Sequence, residues 1–295
     1  MTPPLNATRR PVSRGEGPST VAVDGRQLAY ATYGDPEGIP VLVLHGTPGS
    51  RRLGSVFDRK ANRAGIRILA PDRPGYGRSA AWPEYSVDDA GRVITAVLDD
   101  AGVRTAGLVA FSGGAPYALA AARTRPERIT RVDVVSGATP PGISEHTPPM
   151  QRVLRTLATG TPLVLRGLFR GQAWLAARLD PTFVAAQYTT KERADALPDD
   201  VKEVIKADFV EAVARSRRGV VTELRHTATQ WGNDLDGVDA EVTFWHGADD
   251  ANVPVADARR LSAALPTARL HTLSAADHLQ ALLRSRAEIL DAHRS

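Results

Sequence analysis

The segment Leu108-Val109-Ala110-Phe111-Ser112-Gly113-Gly114 is an apolar run that stops at a hydroxyl between small residues and leads into a helical stretch. Apolar residues at every position are expected of a strand covered on both faces, as in a parallel sheet. The abrupt Ser-Gly-Gly stop predicts a sharp turn from strand to helix. A serine at the tip of such a nucleophile elbow has strained backbone angles and tolerates only small residues two positions before and after it. Ala110 and Gly114 meet that demand, with Ala110 departing by one methyl from the glycine of the general pattern. Taken alone, the segment also fits an ordinary strand ending in a Ser-Gly-Gly turn.

Three further apolar runs end in polar loops. Val41–Leu44 runs into His45-Gly46-Thr47-Pro48-Gly49-Ser50. Phe244-Trp245-His246-Gly247 precedes a loop carrying Asp249 and Asp250. Ala268–Leu273 precedes Asp277-His278, and a helical stretch from Gln280 to Ala292 follows. A serine hydroxyl is a poor nucleophile unaided, so it needs a base, and the base needs an acid to orient it. His278 is the candidate base by position. His271 lies inside a strand, His293 at the terminus, and His146 and His226 in the helical middle of the chain. His45 and His246 each precede a glycine at a strand end, where a ring nitrogen is expected to bond loop backbone.

On these residues the chain resembles the α/β-hydrolase superfamily, which uses the chain order serine, acid, histidine. The likeness continues at Asp72-Arg73-Pro74-Gly75-Tyr76-Gly77-Arg78-Ser79, similar to that family's D-x-P-G-x-G-x-S turn, read here as structural with glycines supplying positive φ. The resemblance implies that Ser112 is the nucleophile, His278 the base and, through the pattern G-x-x-D-x-x-V-P over Gly247 to Pro254, Asp250 the acid, with Asp249 a solvated carboxylate. Asp277 is read as a loop residue. The resemblance also implies an oxyanion hole made by the backbone N–H groups of Thr47 and Gly113.

The rest of the chain fits an α/β fold of this kind, a mostly parallel doubly wound sheet with an inserted helical cap. Thr20–Val23 and Gln27–Tyr33, joined at Asp24-Gly25, read as a hairpin. Further strands are expected at Ile66–Leu69 and Val132–Val135. A helix is predicted from Ser86 to Ala101, with Ser86 and Asp89 at capping-box spacing and Val93, Ile94, Val97 and Leu98 on one face. Between Thr139 and Asp234 helical spacing dominates. The expected division is an arm over 1–18, a core over 19–138 and 235–295, and a cap over 139–234. Family resemblance implies that this insertion lies over Ser112, which makes Leu165, Phe169, Trp174, Phe183 and Tyr188 candidate pocket walls, although plain helix packing explains any one of them as well.

At 295 residues and 42% hydrophobic, the chain can bury a full core. The absence of cysteine excludes disulfides and thiol chemistry, and the seven histidines show no metal-ligand spacing, so neither metal nor cofactor is expected. The net charge of +4 comes from arginines spread along the chain, which argues against a nucleic-acid partner. No apolar run is long enough to span a bilayer, and the start lacks a signal-peptide core, so no membrane association and a cytoplasmic monomer or homodimer are expected. The expected function is cofactor-free hydrolysis of a small ester, thioester or related acyl substrate through an acyl-enzyme. Ser112 argues against dehalogenase and epoxide hydrolase relatives, which need aspartate at the elbow. A lyase or carbon-carbon bond hydrolase is the alternative, followed by an aminopeptidase and a slow-turnover ligand sensor.

Overall fold

A computed structural model describes residues 17–144, 148–228, 231 and 235–294. Nearly all of the expected arm, and His146, therefore lie outside the described residues. The chain forms an eight-stranded sheet from β1 (Ser19–Val23), β2 (Arg26–Gly34), β3 (Ile39–Leu44), β4 (Ile66–Pro71), β5 (Ala106–Phe111), β6 (Ile129–Val135), β7 (Glu241–Gly247) and β8 (Ala268–Leu273). The spatial order is β1-β2-β4-β3-β5-β6-β7-β8. β2 runs antiparallel to β1 and β4, and every pairing from β4 to β8 is parallel. The hairpin turns at Asp24 and Gly25, whose φ angles of 48° and 73° are the positive pair that a two-residue turn requires.

Helices α1 (Asp58–Ala64), α2 (Ala90–Asp100) and α3 (Ala115–Thr124) lie in the first half of the chain. Between β6 and β7 come α4 (Pro149–Gly160), α5 (Pro162–Ala176), α6 (Pro181–Ala185), α7 (Lys191–Asp195), α8 (Asp199–Ala214) and α9 (Arg218–Ala228); α10 (Val255–Ala263) and α11 (His278–Ala292) complete the set. Alternation along each strand divides the core into two layers. Leu42, Leu44, Leu108, Ala110, Val132, Val134 and Phe244 face α2 and α3, whereas Val41, Val43, Val109, Phe111, Val135 and Trp245 share a layer with Ala61 of α1 and Leu282 and Ile289 of α11. Both faces of the central strands are therefore dry, which explains their continuous apolar sequence. Each fully buried leucine or valine contributes roughly 1.5–3 kcal/mol.

The α2 expectation needs one correction. Asp89 Oδ2 accepts the Ser86 N–H at 2.9 Å and the Ser86 hydroxyl at 2.8 Å. The hydroxyl therefore donates to Asp89 and caps no helix N–H, and the helix starts at Ala90. Its face of Val93, Ile94, Val97 and Leu98 is buried as expected.

One polar group is built into the dry sheet. Asp133 on β6 is fully buried and accepts from Trp245 Nε1 at 2.7 Å, with Arg131 Nε and His293 Nε2 each at 3.1 Å. The cluster ties β6 and β7 to the residue that follows α11. Asp133→Ala would strand the Trp245 donor and the Arg131 charge, so urea denaturation should show a loss of about 3 kcal/mol.

Candidate active site

The carboxyl ends of β3, β5, β7 and β8 gather the four loops singled out in the sequence. Ser112 follows β5 directly, with a φ of 51° that non-glycine residues seldom adopt, and α3 begins three residues later. A Cβ added to Gly114 would lie 2.9 Å from the carbonyl oxygens of Leu44 and His45, so the elbow packs directly on β3. The Ser112 carbonyl accepts the N–H of Ala138 at 3.0 Å, which fastens the turn to the loop after β6. Ala110 is fully buried, its extra methyl accommodated in the core.

His278 is the first residue of α11, and its ring packs on that of Phe111, the neighbour of Ser112, at 4.9 Å between centroids. Its Nδ1 bonds Asp250 Oδ2 at 2.8 Å, which leaves Nε2 as the nitrogen available for proton transfer. Asp250 is held from below, because Oδ1 accepts the N–H groups of Asn252 and Val253 at 2.9 Å each. Burial pushes the Asp250 carboxyl up, but the charge and hydrogen bond of His278, His246 and the Val253 N–H outweigh it and hold the group below the usual carboxylate value.

The remaining two candidates meet as well. A Cβ built on Gly113 would lie 3.1 Å from the Thr47 nitrogen and 2.2 Å from its hydroxyl oxygen, so these backbones touch only because residue 113 has no side chain. The hydroxyl of Thr47 donates to Glu223 Oε2 at 2.6 Å.

That contact opens a network the sequence reading missed. Arg73 grips Glu223 with Nε on Oε1 at 2.6 Å and Nη2 on Oε2 at 2.8 Å, and both side chains are almost fully buried. Arg73 also donates to the carbonyls of His45 and Gly46 in the loop that carries Thr47, and the Tyr76 hydroxyl donates to Glu223 at 2.8 Å. Burial opposes the Arg73 charge, yet Glu223 more than restores it. His45 fits the expected backbone role, with Nδ1 on the Gly46 carbonyl at 2.7 Å and Nε2 accepting the Arg73 N–H at 3.2 Å. Burial and the Arg73 charge hold it neutral, well below its ordinary pKa. His246 likewise bonds the Val253 carbonyl, at 2.9 Å. The turn after β4 has positive φ at Gly75 and Gly77, and Asp72 inside it binds Arg51.

A narrow cleft opens at these loops, lined by Gly46, Pro48, Leu53, Phe111, Tyr188, Ile205, Asp208 and Leu279. Three of the candidate residues have a chain neighbour on its wall: Phe111 beside Ser112, Leu279 beside His278, and Gly46 and Pro48 around Thr47. Of the five aromatic and aliphatic residues expected to line the pocket, Tyr188 does so. Leu165 and Phe169 pack instead with Tyr76, Val213 and Val220 in a separate helix-to-helix core. Trp174 and Phe183 are turned outward, 58% and 51% exposed, Trp174 lying under the Arg178 guanidinium. The physical reason is helix rotation: α5 presents Leu165, Phe169, Ala173 and Ala176 to the interior, and Trp174 falls on its opposite face.

Two acid expectations also change. Asp277 is the N-cap of α11 rather than a simple loop residue, with Oδ1 on the Gln280 N–H and Oδ2 on Thr189 and Arg193. Asp249 is exposed, as expected, but pairs with Arg193 at 2.9 Å. Asp208 and Glu223 carried a legible signal: each is a carboxylate set on the buried stripe of its helix, Asp208 between Ile205 and Ala212, Glu223 between Val220 and Thr227.

Two stability effects follow from these acids. Glu223→Ala leaves the Arg73 charge buried and unpaired, and should cost about 3–5 kcal/mol in urea unfolding, with Glu223→Gln milder. Burial drives Asp208 up to about 7, against the hydrogen bonds of Ser50 and Leu53. The native state therefore holds a proton that the unfolded chain releases, so this group's contribution is best at acid pH and declines as pH rises from the ordinary carboxylate value through about 7. Asp208→Asn should accordingly raise the melting temperature relative to wild type more at pH 8 than at pH 4.5, as differential scanning fluorimetry would record.

Residues 39–284 match the family model described as alpha/beta hydrolase fold. An uncharacterized hydrolase of Bacillus subtilis (strain 168), YcgS, is 25% identical over 282 residues, covering 91% of this chain and 94% of that protein. A 2-hydroxymuconate semialdehyde hydrolase of Pseudomonas putida is 27% identical over 274 residues, 86% of this chain and 87% of its own. Among solved structures, a bromoperoxidase from Bacillus anthracis superposes with a TM-score of 0.73 at 18% identity, over 94% of this chain and 99% of its own. No helix among the described residues is long and apolar enough to cross a membrane.

Proposed function

Since the chain belongs to the alpha/beta hydrolase family and is a hydrolytic enzyme, we propose that it is a cofactor-free serine hydrolase of small ester, thioester or related acyl substrates. In this reading Ser112 Oγ attacks the acyl carbon while His278 Nε2 takes its proton. Asp250 holds the ring through Nδ1 and stabilises the imidazolium that forms. The N–H groups of Thr47 and Gly113 receive the negative charge on the former carbonyl oxygen, in place before the reaction and so without reorganisation. The imidazolium then protonates the leaving group, and a water activated by the same ring releases the acid from Ser112. The helices between β6 and β7 act as the cap, contributing Tyr188, Ile205 and Asp208 to the substrate cleft.

The observation that carries this reading is the 2.8 Å bond between His278 and Asp250, with the His278 ring packed on Phe111, the residue before a serine held at positive φ. The chain order of the three residues and the packing of Gly113 on Thr47 support it. A second reading, hydrolysis of a carbon-carbon bond with Ser112 or His278 moving protons, is supported by the likeness to the 2-hydroxymuconate semialdehyde hydrolase.

A fluorophosphonate probe should label the wild type and leave Ser112→Ala unlabelled. Turnover of 4-nitrophenyl acetate should fall by roughly a thousandfold or more in that variant and by a hundredfold or more in Asp250→Asn, because triad members act as a unit. A burst of 4-nitrophenol equal to the enzyme concentration supports the acyl-enzyme, whereas steady turnover without a labelled serine supports the second reading.

A further inference from the structure

The cleft beside Ser112 contains an acid that the proton relay does not use. Asp208 reaches it from α8, and its Oδ1 accepts the N–H of Ser50 at 2.8 Å, the Ser50 hydroxyl at 2.9 Å and the N–H of Leu53 at 3.1 Å. Those bonds hold the start of the 3₁₀ turn Arg51–Phe57 and occupy one oxygen only. Among the described residues nothing donates to Oδ2, while the carboxyl forms part of the cleft wall with Leu53, Phe111, Ile205 and Leu279. No arginine or lysine of the described residues pairs with it. The nearby cations are committed elsewhere, Arg51 to Asp72 and Glu211 and Arg73 to Glu223. The cleft thus offers a substrate an acceptor among walls that are apolar apart from the Tyr188 hydroxyl, with no cation among the described residues to balance a second anion.

We propose that Asp208 is the specificity-determining residue of this cleft, favouring a substrate half that offers a hydrogen-bond donor such as a hydroxyl and rejecting one that carries a carboxylate. A hydroxyl satisfies Oδ2 and keeps its own hydrogen bond on leaving water. With Asp208 ionised, above about pH 7, a carboxylate meets like charge across a poorly screened space and finds no cation, so it must lose hydration or take up a proton. The proposal rests on the serine-hydrolase reading, because it presumes that the cleft holds one half of an acyl substrate.

The test uses the full-length protein at pH 8, where Asp208 is ionised, and two probe sets, one for each half of the ester. The acyl side is read by inhibition with butylboronic acid and 3-carboxypropylboronic acid, which add reversibly to a catalytic serine. The alcohol side is read by kcat/KM for 4-acetoxybenzyl alcohol, phenyl acetate and 4-acetoxybenzoate, each divided by its rate of alkaline hydrolysis. In the wild type at least one set should disfavour its carboxylate member by roughly tenfold or more, with the hydroxymethyl ester the best of the alcohol series if that set discriminates. Asp208→Asn keeps an acceptor for Ser50 and Leu53, removes the charge, and should shrink the ratio about fivefold or more. The wild-type measurement alone decides the matter should that variant fail to fold. Carboxylate members treated within about threefold of the neutral ones in both sets overturn the proposal, as does an unchanged ratio in Asp208→Asn. Failure of both boronates to inhibit and of all three esters to turn over would instead count against the serine-hydrolase reading.

Discussion

The buried pairing of Arg73 with Glu223 is the contact on which the geometry of the site depends. Two opposite charges have been taken out of water, a step whose desolvation cost only a well-formed set of hydrogen bonds can offset. Here the set is unusually full. The guanidinium fork meets both carboxylate oxygens, spends its remaining donors on the His45 and Gly46 carbonyls, and lies against the rings of Tyr76 and Tyr117. Tyr76 and Thr47 complete the carboxylate side. The loop after β3 is thereby fixed from three directions, which sets where the Thr47 N–H points.

Two buried acids of this region are driven in opposite directions by their surroundings. Asp250 faces an imidazole as well as two backbone donors, and stays ionised. Burial pushes Asp208 up, with the like charge of Asp72 adding to it, although three neutral donors on one oxygen pull the other way. Neither difference lies in the residue type. Environment alone separates an acid that stabilises a positive ring from one that can exchange its proton near neutrality.

Much of this was legible from residue order. Continuous apolar runs marked the central strands because both sheet faces are dry, and small residues around Ser112 marked an elbow because a Cβ at 114 would strike β3. The pairing of Asp250 with His278 followed from a motif whose spacing reflects loop geometry. The helical middle resisted the same treatment. Knowing that α5 is a helix does not fix its rotation, and a turn of the wheel separates buried Phe169 from exposed Trp174. Ser86 misled for a related reason, since a hydroxyl can cap a helix or donate to a nearby carboxylate, and spacing alone does not say which. Asp208 and Glu223 interrupt apolar stripes, a sign of a polar partner on another element, but the partners sit more than 140 positions away in sequence.

That long reach bears on how such enzymes diversify. The helices between β6 and β7 look like a detachable module, yet α9 supplies the counter-ion for an arginine of the sheet domain, and α8 anchors the 3₁₀ turn after β3 through Ser50 and Leu53. A recombination event that exchanged this block for a relative's would leave an orphaned cation beneath the loop after β3 unless the incoming helix brought its own acid to the same spot. Variation is thus channelled into single-residue change, while wholesale exchange of the helical block is penalised.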